Sequence, residues 1–491
     1  MDQAPVIVLG AGPAGLTAAY ELTKAGVESI VLERDDVVGG IARTVEYKGY
    51  RFDIGGHRFF TKVKPVEDLW HELLGDEMIR RPRMSRIFYK GSFFAYPLKP
   101  FNALRGLGLW ETMRCGFSYV KARIAPVRPE DNFSAWVSNR FGRRLFEIFF
   151  KTYTEKVWGI PCDEIQAEWA AQRIKGLSLL TAVKNAIFGE RASSRGEVIK
   201  TLIDEFEYPR LGPGMMWERA RDLIEKAGSR VVMEAPVERV EWTVDGIQAV
   251  YAGGRRYEGD AFVSSIALRD LVEAMDPPPP AEVLAAARKL RYRDFLTVAL
   301  IVDAPDLFPD TWIYIHEPHV KLGRVQNFKN WSPDMTPDPS KTCLGLEYFC
   351  FEGDPLWNAS DEELIALGKR EIETLGLTEG APILDGSVVR MPKAYPVYDS
   401  EYPAALRTVR AFLGTLPNLQ LTGRNGMHRY NNQDHSMLTA MLAVRNLLGA
   451  RHDLWQVNVD QEYHEEGREV TLEDLRAAEG TQPLVPNRID R

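Results

Sequence analysis

The chain has 491 residues, 45% of them hydrophobic and 26% charged, which is the balance of a globular protein of two to four lobes. Its net charge of −8 gives no overall field to attract nucleic acid. The four cysteines (Cys115, Cys162, Cys343, Cys350) form no CxxC pair, and His428 and His435 lack a metal-ligand spacing. Buried free thiols and no metal are therefore expected.

The first apolar run, Val6 to Leu9, is too short for a signal peptide, and no stretch of about 18 apolar residues suggests a membrane span. A cytoplasmic location is expected. Residues 4–45 read as strand, glycine-rich turn, helix, strand and a second glycine loop. Residues 62–204 read as mainly helical, with apolar positions at i, i+3 and i+4. Strand character returns over 229–266, and Pro277 to Pro280 is a stiff break before a helix. Residues 294–350 alternate as an antiparallel sheet does. Ser360, with Glu363 three residues on, opens a helix through a capping box. A short strand at Leu419 to Thr422 and a helix from Ser436 to Leu448 follow. This order predicts an α/β protein whose Rossmann-type domain is discontinuous (1–61, 205–290 and 400–450). Around it stand a helical insertion (62–204), an antiparallel substrate domain (291–399) and a peripheral tail (451–491).

Val6-Ile7-Val8-Leu9-Gly10-Ala11-Gly12-Pro13-Ala14-Gly15 is GxGxxG directly after a buried strand. Gly10 permits the turn, Gly12 admits a pyrophosphate, and Gly15 lets helix meet strand. The helix opening at Pro13 and Ala14 aims its N–H groups at the phosphates. Glu33, 18 residues past Gly15 at the end of the second strand, suits the ribose hydroxyls, with Arg34 beside it. Gly39 and Gly40 give a second close approach, and Arg43 can meet a phosphate. Gly55-Gly56-His57 can lie along a flat ring, Val237 can meet an adenine edge, and Gly423, Arg424, Asn432, Gln433 and Ser436 can serve the flavin end. Two further glycine loops along one line argue for a ligand longer than NAD, namely FAD. NAD(P)H enters only as a transient reductant.

Together these segments resemble the amine oxidase and protoporphyrinogen oxidase superfamily, and within it the UDP-galactopyranose mutases. The closer resemblance rests on Gly55-Gly56-His57, on Ala95-Tyr96-Pro97-Leu98, on Tyr153-Thr154-Glu155-Lys156-Val157-Trp158, and on Arg429-Tyr430 with Asn432-Gln433-Asp434-His435-Ser436. It implies a Rossmann-type FAD domain and a nucleotide-diphosphate sugar as substrate. It implies redox-neutral chemistry, in which N5 of the reduced flavin attacks the anomeric carbon and pyranose and furanose interconvert. By position it implies that Arg173 and Arg324 bind the diphosphate, that Tyr314, Tyr395 and Tyr430 assist, and that His57 faces the flavin. Tyr96 and Trp158 are expected to stack on the substrate, and Asn432 to border it. Two segments depart from the family: Asn330-Trp331-Ser332-Pro333 carries Trp in place of Tyr, and Arg58-Phe59-Phe60-Thr61 carries a cation in place of an apolar residue. The competing expectation is an FAD oxidoreductase that takes hydride from an amine or an isoprenoid, with Arg173 and Arg324 in ordinary salt bridges. The basic run from Arg80 to Lys90 can steer an anionic substrate or touch anionic lipid.

Overall fold

A computed structural model describes residues 4–96, 100–167 and 205–458. A five-stranded parallel sheet runs in the order Leu419–Leu421, Ala261–Ser264, Val6–Leu9, Ser29–Leu32, Arg230–Val232. Strands from the beginning, middle and end of the chain are thus neighbours, as the motif order implies. Val6–Leu9 is buried throughout because both of its faces are covered. Val6 and Val8 point into a core with helices Pro13–Lys24, Lys64–Leu74, Gly214–Lys226 and Gln433–Leu447. Ile7 and Leu9 point the other way, into a core with strands Val237–Thr243 and Gly246–Ala252 and helices Ala281–Lys289 and Tyr402–Leu413.

A seven-stranded sheet forms the second body. Its order is Ile383–Pro396, Tyr292–Val302, Thr342–Cys350, Arg324–Asn327, Trp312–Ile315, Ser85–Tyr89, Ser92–Ala95. Its pairings are antiparallel except the one between Trp312–Ile315 and Ser85–Tyr89. The register sets Tyr314 opposite Arg324 and Arg324 opposite Glu347, so the three side chains share one face.

The segment expected to be mainly helical also supplies strands. Ser85–Tyr89 and Ser92–Ala95 form a hairpin at the sheet edge, and Met78–Pro82 pairs with Glu205–Pro209. The hairpin turns on Lys90 and Gly91, with φ of 50° and 68°. Positive φ at both central residues matches the right-handed twist of the flanking strands, and a glycine makes it inexpensive. Lys48 and Gly49 close the hairpin of Thr44–Tyr47 with Tyr50–Asp53 in the same way. The expected helices over 168–204 lie outside the described residues; elsewhere among the described residues the expected elements are present. The capping box of Ser360 and Glu363 opens Asp361–Thr374, a helix follows the proline run at Ala281, and the last expected helix starts earlier than predicted, at Gln433. All four cysteines are buried free thiols. Arg173 and the tail from 459 onward lie outside the described residues.

Candidate active site

A cavity of about 410 Å³ runs along the carboxyl ends of the parallel strands. That is where an open α/β sheet leaves a crevice for a ligand. Gly10, Gly12, Pro13 and Ala14 line it at one strand end, Glu33 and Arg34 at the next, and Gly423 and Arg424 at the last. Gly15 sits behind the loop, where a Cβ would stand 1.8 Å from the Gly10 carbonyl oxygen. Any larger residue would drive the helix off the strand. At Gly12 a Cβ meets only the Gly40 Cα, at 4.0 Å. The helix that Gly12 caps has no side-chain cap, so its first N–H groups remain available to phosphate oxygens.

Glu33 is buried and bidentate: Ala11 N–H donates to Oε2 at 2.6 Å and Asp35 N–H to Oε1 at 3.0 Å. Burial raises its pKa, and those two donors oppose the rise. Gly39 N–H ties the second glycine loop to the Ala11 carbonyl at 2.8 Å, and Gly40 faces the cavity. Arg43, expected at a phosphate, is paired with Asp35 at 2.8 Å and is not on the cavity wall. Val237, Gln433 and Ser436 line the cavity, the last two from the first turns of the Gln433–Leu447 helix that Asn432 caps. An uncapped helix start, a glycine cradle and a carboxylate at the second strand end together fit a dinucleotide.

A second pocket, of about 230 Å³, adjoins the first and shares Ile41, His57, Arg424 and Gln433 with it. Gly55 and Gly56 form part of its wall. Three guanidinium groups line it, from Arg58, Arg324 and Arg424, together with Tyr314, Tyr395, Tyr430, Asn432 and Asp434. Arg324 Nε donates to Glu347, which is fully buried and also accepts from Gln326 at 2.7 Å. Burial is the largest influence on Arg324 and opposes its charge, but the Glu347 carboxylate together with Tyr153, Tyr395 and Tyr314 outweighs burial and holds the guanidinium charged. Arg424 is fixed by two carbonyls, Asn431 at 2.9 Å and Ala394 at 3.0 Å. Its guanidinium carbon lies 5.2 Å from the Tyr395 ring and 5.0 Å from the Tyr430 ring, which stack on each other at 5.5 Å.

His57 stands between the two cavities. Its Nε2 donates to the Ile54 carbonyl at 2.9 Å, which sets the tautomer. Burial pulls its pKa down to about 4, and Arg424 and Arg324 add to the effect, so the ring is neutral at pH 7. Trp158, expected to stack on substrate, lies behind the tyrosine pair, 6.3 Å from Tyr395 and 5.9 Å from Tyr430, and is 2% exposed. In this structure it packs as core. Tyr96 touches Tyr314 at 4.8 Å but is not on the pocket wall.

Residues 13–425 match the family described as flavin-containing amine oxidoreductase. The chain belongs to that family. Membership makes it a flavoprotein of the amine oxidase superfamily, and the dinucleotide fingerprint supports FAD as its flavin. The putative flavin-containing monoamine oxidase AofH of Mycobacterium tuberculosis is 26% identical over 296 residues, 56% of this chain. The lycopene-forming phytoene desaturase of Pantoea ananas is 26% identical over 291 residues, 53% of this chain. This flavoprotein spans only 60% and 55% of the lengths of those two relatives. Among solved structures, reduced UDP-galactopyranose mutase superposes with a TM-score of 0.83 at 21% identity, over 96% of this chain and 99% of that one. A putative protoporphyrinogen oxidase from Exiguobacterium superposes at 0.68 with 17% identity, over 91% and 99%. These likenesses establish the fold of the flavoprotein.

Two carboxylates at the second pocket were not singled out in the sequence. Glu347 is the one charge in the apolar run Leu344-Gly345-Leu346-Glu347-Tyr348, and a lone carboxylate in a buried strand signals a buried cation beside it. Asp434, 3% exposed, accepts from Thr61 at 3.0 Å and borders the second pocket. Lys156, within the motif read for substrate, donates to the carbonyls of Glu317 at 2.6 Å, Leu322 at 3.0 Å and Ile315 at 3.3 Å. It holds a loop together away from the pocket.

Proposed function

We propose that this flavoprotein acts on a nucleotide-diphosphate sugar as a mutase-like isomerase, interconverting pyranose and furanose rings without net redox change. The observation that carries the reading is the second pocket: three guanidinium groups and three tyrosines around about 230 Å³, beside the cofactor cavity. Such a wall selects an anion. With three cations against the single carboxylate Asp434 it disfavours an amine, and the guanidinium groups interrupt the apolar surface that Ile41, Ile54, Phe60 and Trp70 would offer an isoprenoid. When bound in its reduced form, the flavin supplies the nucleophile for the anomeric carbon.

The side chains do the rest. Arg324, kept charged by Glu347, and Arg424, fixed by two carbonyls, meet the diphosphate oxygens without reorganising as the leaving group gains charge. Hydroxyls of Tyr314, Tyr395 and Tyr430 add neutral donors, so the pocket does not hold the product too tightly. Burial raises the Tyr395 pKa, keeping that hydroxyl a donor at neutral pH. Neutral His57 closes the seam between the cavities without adding a fourth positive charge to it. Arg173, from outside the described residues, is assigned to the same diphosphate by its place in the motif order. The whole-chain superposition on reduced UDP-galactopyranose mutase supports the reading at the level of fold.

A second reading, an oxidoreductase acting on an amine or a polyene, draws support from the sequence relatives. One experiment separates them. The dithionite-reduced protein is incubated anaerobically with UDP-galactopyranose or UDP-galactofuranose, and products are followed by chromatography together with the flavin spectrum. The mutase reading expects interconversion with the flavin still reduced at the end. No product from any nucleotide sugar, with bleaching of the oxidised flavin by an amine or a carotenoid precursor, establishes the second reading instead.

A further inference from the structure

Of the eleven large apolar side chains exposed among the described residues, seven lie between Leu109 and Val127. The backbone breaks at Gly108, with φ of 77°, and a helix then runs to Ile124. Leu109, Met113, Phe117, Val120 and Ile124 follow steps of four, four, three and four, which puts them on one stripe of that helix. Leu109, Phe117 and Ile124 are 78%, 78% and 79% exposed, and Trp110 at the stripe's edge is 72% exposed. The inner side is well seated: Cys115 belongs to the core of Ile87, Phe94, Ile148 and Phe149, against which Tyr96 and Tyr314 also pack. The outward stripe is thus a feature of an anchored helix.

Charge sets the kind of partner. The whole chain carries −8, yet between residues 109 and 128 Arg114, Lys121, Arg123 and Arg128 face a single carboxylate, Glu111, which is turned toward Arg144. Lys121, Arg123 and Arg128 form no ion pair among the described residues. A groove of about 580 Å³ beside the helix has Phe117 and Val127 in its lining together with Lys121 and with Arg114, Arg143 and Arg144, which are paired with Glu111 and Glu147, so cations outnumber carboxylates there. Cations beside apolar side chains suit a phosphate headgroup above its acyl chains. A protein partner of acidic character would match the charges but not the length of bare apolar stripe.

We propose that the face formed by the Leu109–Ile124 helix and the adjoining basic groove docks on an anionic phospholipid surface. The stripe lies in the acyl boundary and the cations lie at the phosphates. No helix among the described residues is long and apolar enough to cross a membrane, so the contact is peripheral. It turns toward the bilayer the core against which Tyr314, a residue of the second pocket's wall, packs.

The test uses the full-length holoprotein in flotation with vesicles of phosphatidylcholine, alone or with about 30% phosphatidylglycerol. Binding to the anionic vesicles is expected, weaker at high salt. Replacing Leu109, Trp110 and Phe117 together by Ser is expected to lower partitioning by at least about tenfold. Replacing Lys121 and Arg123 by Glu is expected to lower it by about fivefold or more per charge, on anionic vesicles only. All five residues are on the surface, so melting temperature and flavin content stay at wild-type values. Failure of the wild type to float with anionic vesicles overturns the proposal, as does flotation insensitive to both sets of substitutions. A wild-type dimer that becomes monomeric in the serine variant also overturns it, since a second copy then covers the stripe.

Discussion

The two adjoining cavities are built by different means. The cofactor cavity is shaped by backbone: glycines at a strand end, free N–H groups at a helix start, and one carboxylate that binds N–H groups of its own loops. The second pocket is shaped by side chains that the register of a separate sheet brings together, with Arg324 between Tyr314 and Glu347 on neighbouring strands. A backbone cradle tolerates little change in shape and recognises what all dinucleotides share. A side-chain pocket can be rewritten residue by residue. The comparison explains why relatives with one flavin fold carry names as different as monoamine oxidase and phytoene desaturase.

That contrast can be broken in graded ways. Gly15→Val has the largest expected effect. Its Cβ would overlap the Gly10 carbonyl, and a clash of backbone against backbone has no flexible atom to yield. We expect a loss of about 4 kcal/mol or more and a colourless protein, read from flavin absorbance and thermal melting. Arg324→Ala comes next. It strands the buried Glu347 and is expected to remove about 3–5 kcal/mol of stability along with nucleotide binding. Arg324→Met with Glu347→Gln removes the uncompensated charge, so stability is expected to return while nucleotide binding stays lost. Recovery of both would show that Arg324 is only structural.

Smaller effects sharpen the boundary. In Glu33→Gln the single amide oxygen cannot replace both carboxylate acceptors, and flavin retention is expected to weaken by about 2 kcal/mol, roughly 30-fold, in equilibrium dialysis. His57→Gln is expected to matter only in acid. The folded pKa of His57 is about 4 against an ordinary 6.5, so protonation opposes folding progressively as pH falls from 6.5 through 4. Relative to the Gln variant, wild type is expected to lose about 1–2 kcal/mol between pH 7 and pH 4, the half-open wall screening part of the shift. Equal pH profiles in urea melts would mean that the imidazole is solvated.

The cradle was legible in the sequence because its signal is local. GxGxxG, a strand before it and Glu33 after it fall within thirty residues, and backbone geometry demands those types at those places. The second pocket was legible only through motif resemblance. No local rule pairs Arg324 with Glu347 or Tyr395 with Tyr430; strand register and loop closure do that. Trp158 read as a stacking residue because it is an aromatic in a motif that resembles the mutases', yet the helix C-terminus turns it into the core behind Tyr395. Arg43 read as a phosphate ligand, but its guanidinium pairs with Asp35, eight residues back, and does not line the cavity. The edge hairpin at Lys90-Gly91 was hidden by helical spacing on either side of a two-residue turn.

The central claim is that guanidinium groups beside the flavin hold a diphosphate. Its most direct test is titration of the reduced holoprotein with UDP, followed through flavin fluorescence, in wild type and in the Arg324→Met, Glu347→Gln double variant. Saturable binding that weakens about 30- to 1000-fold in the variant, with an unchanged flavin spectrum, is the predicted result. Equal affinity in the two proteins would contradict the account.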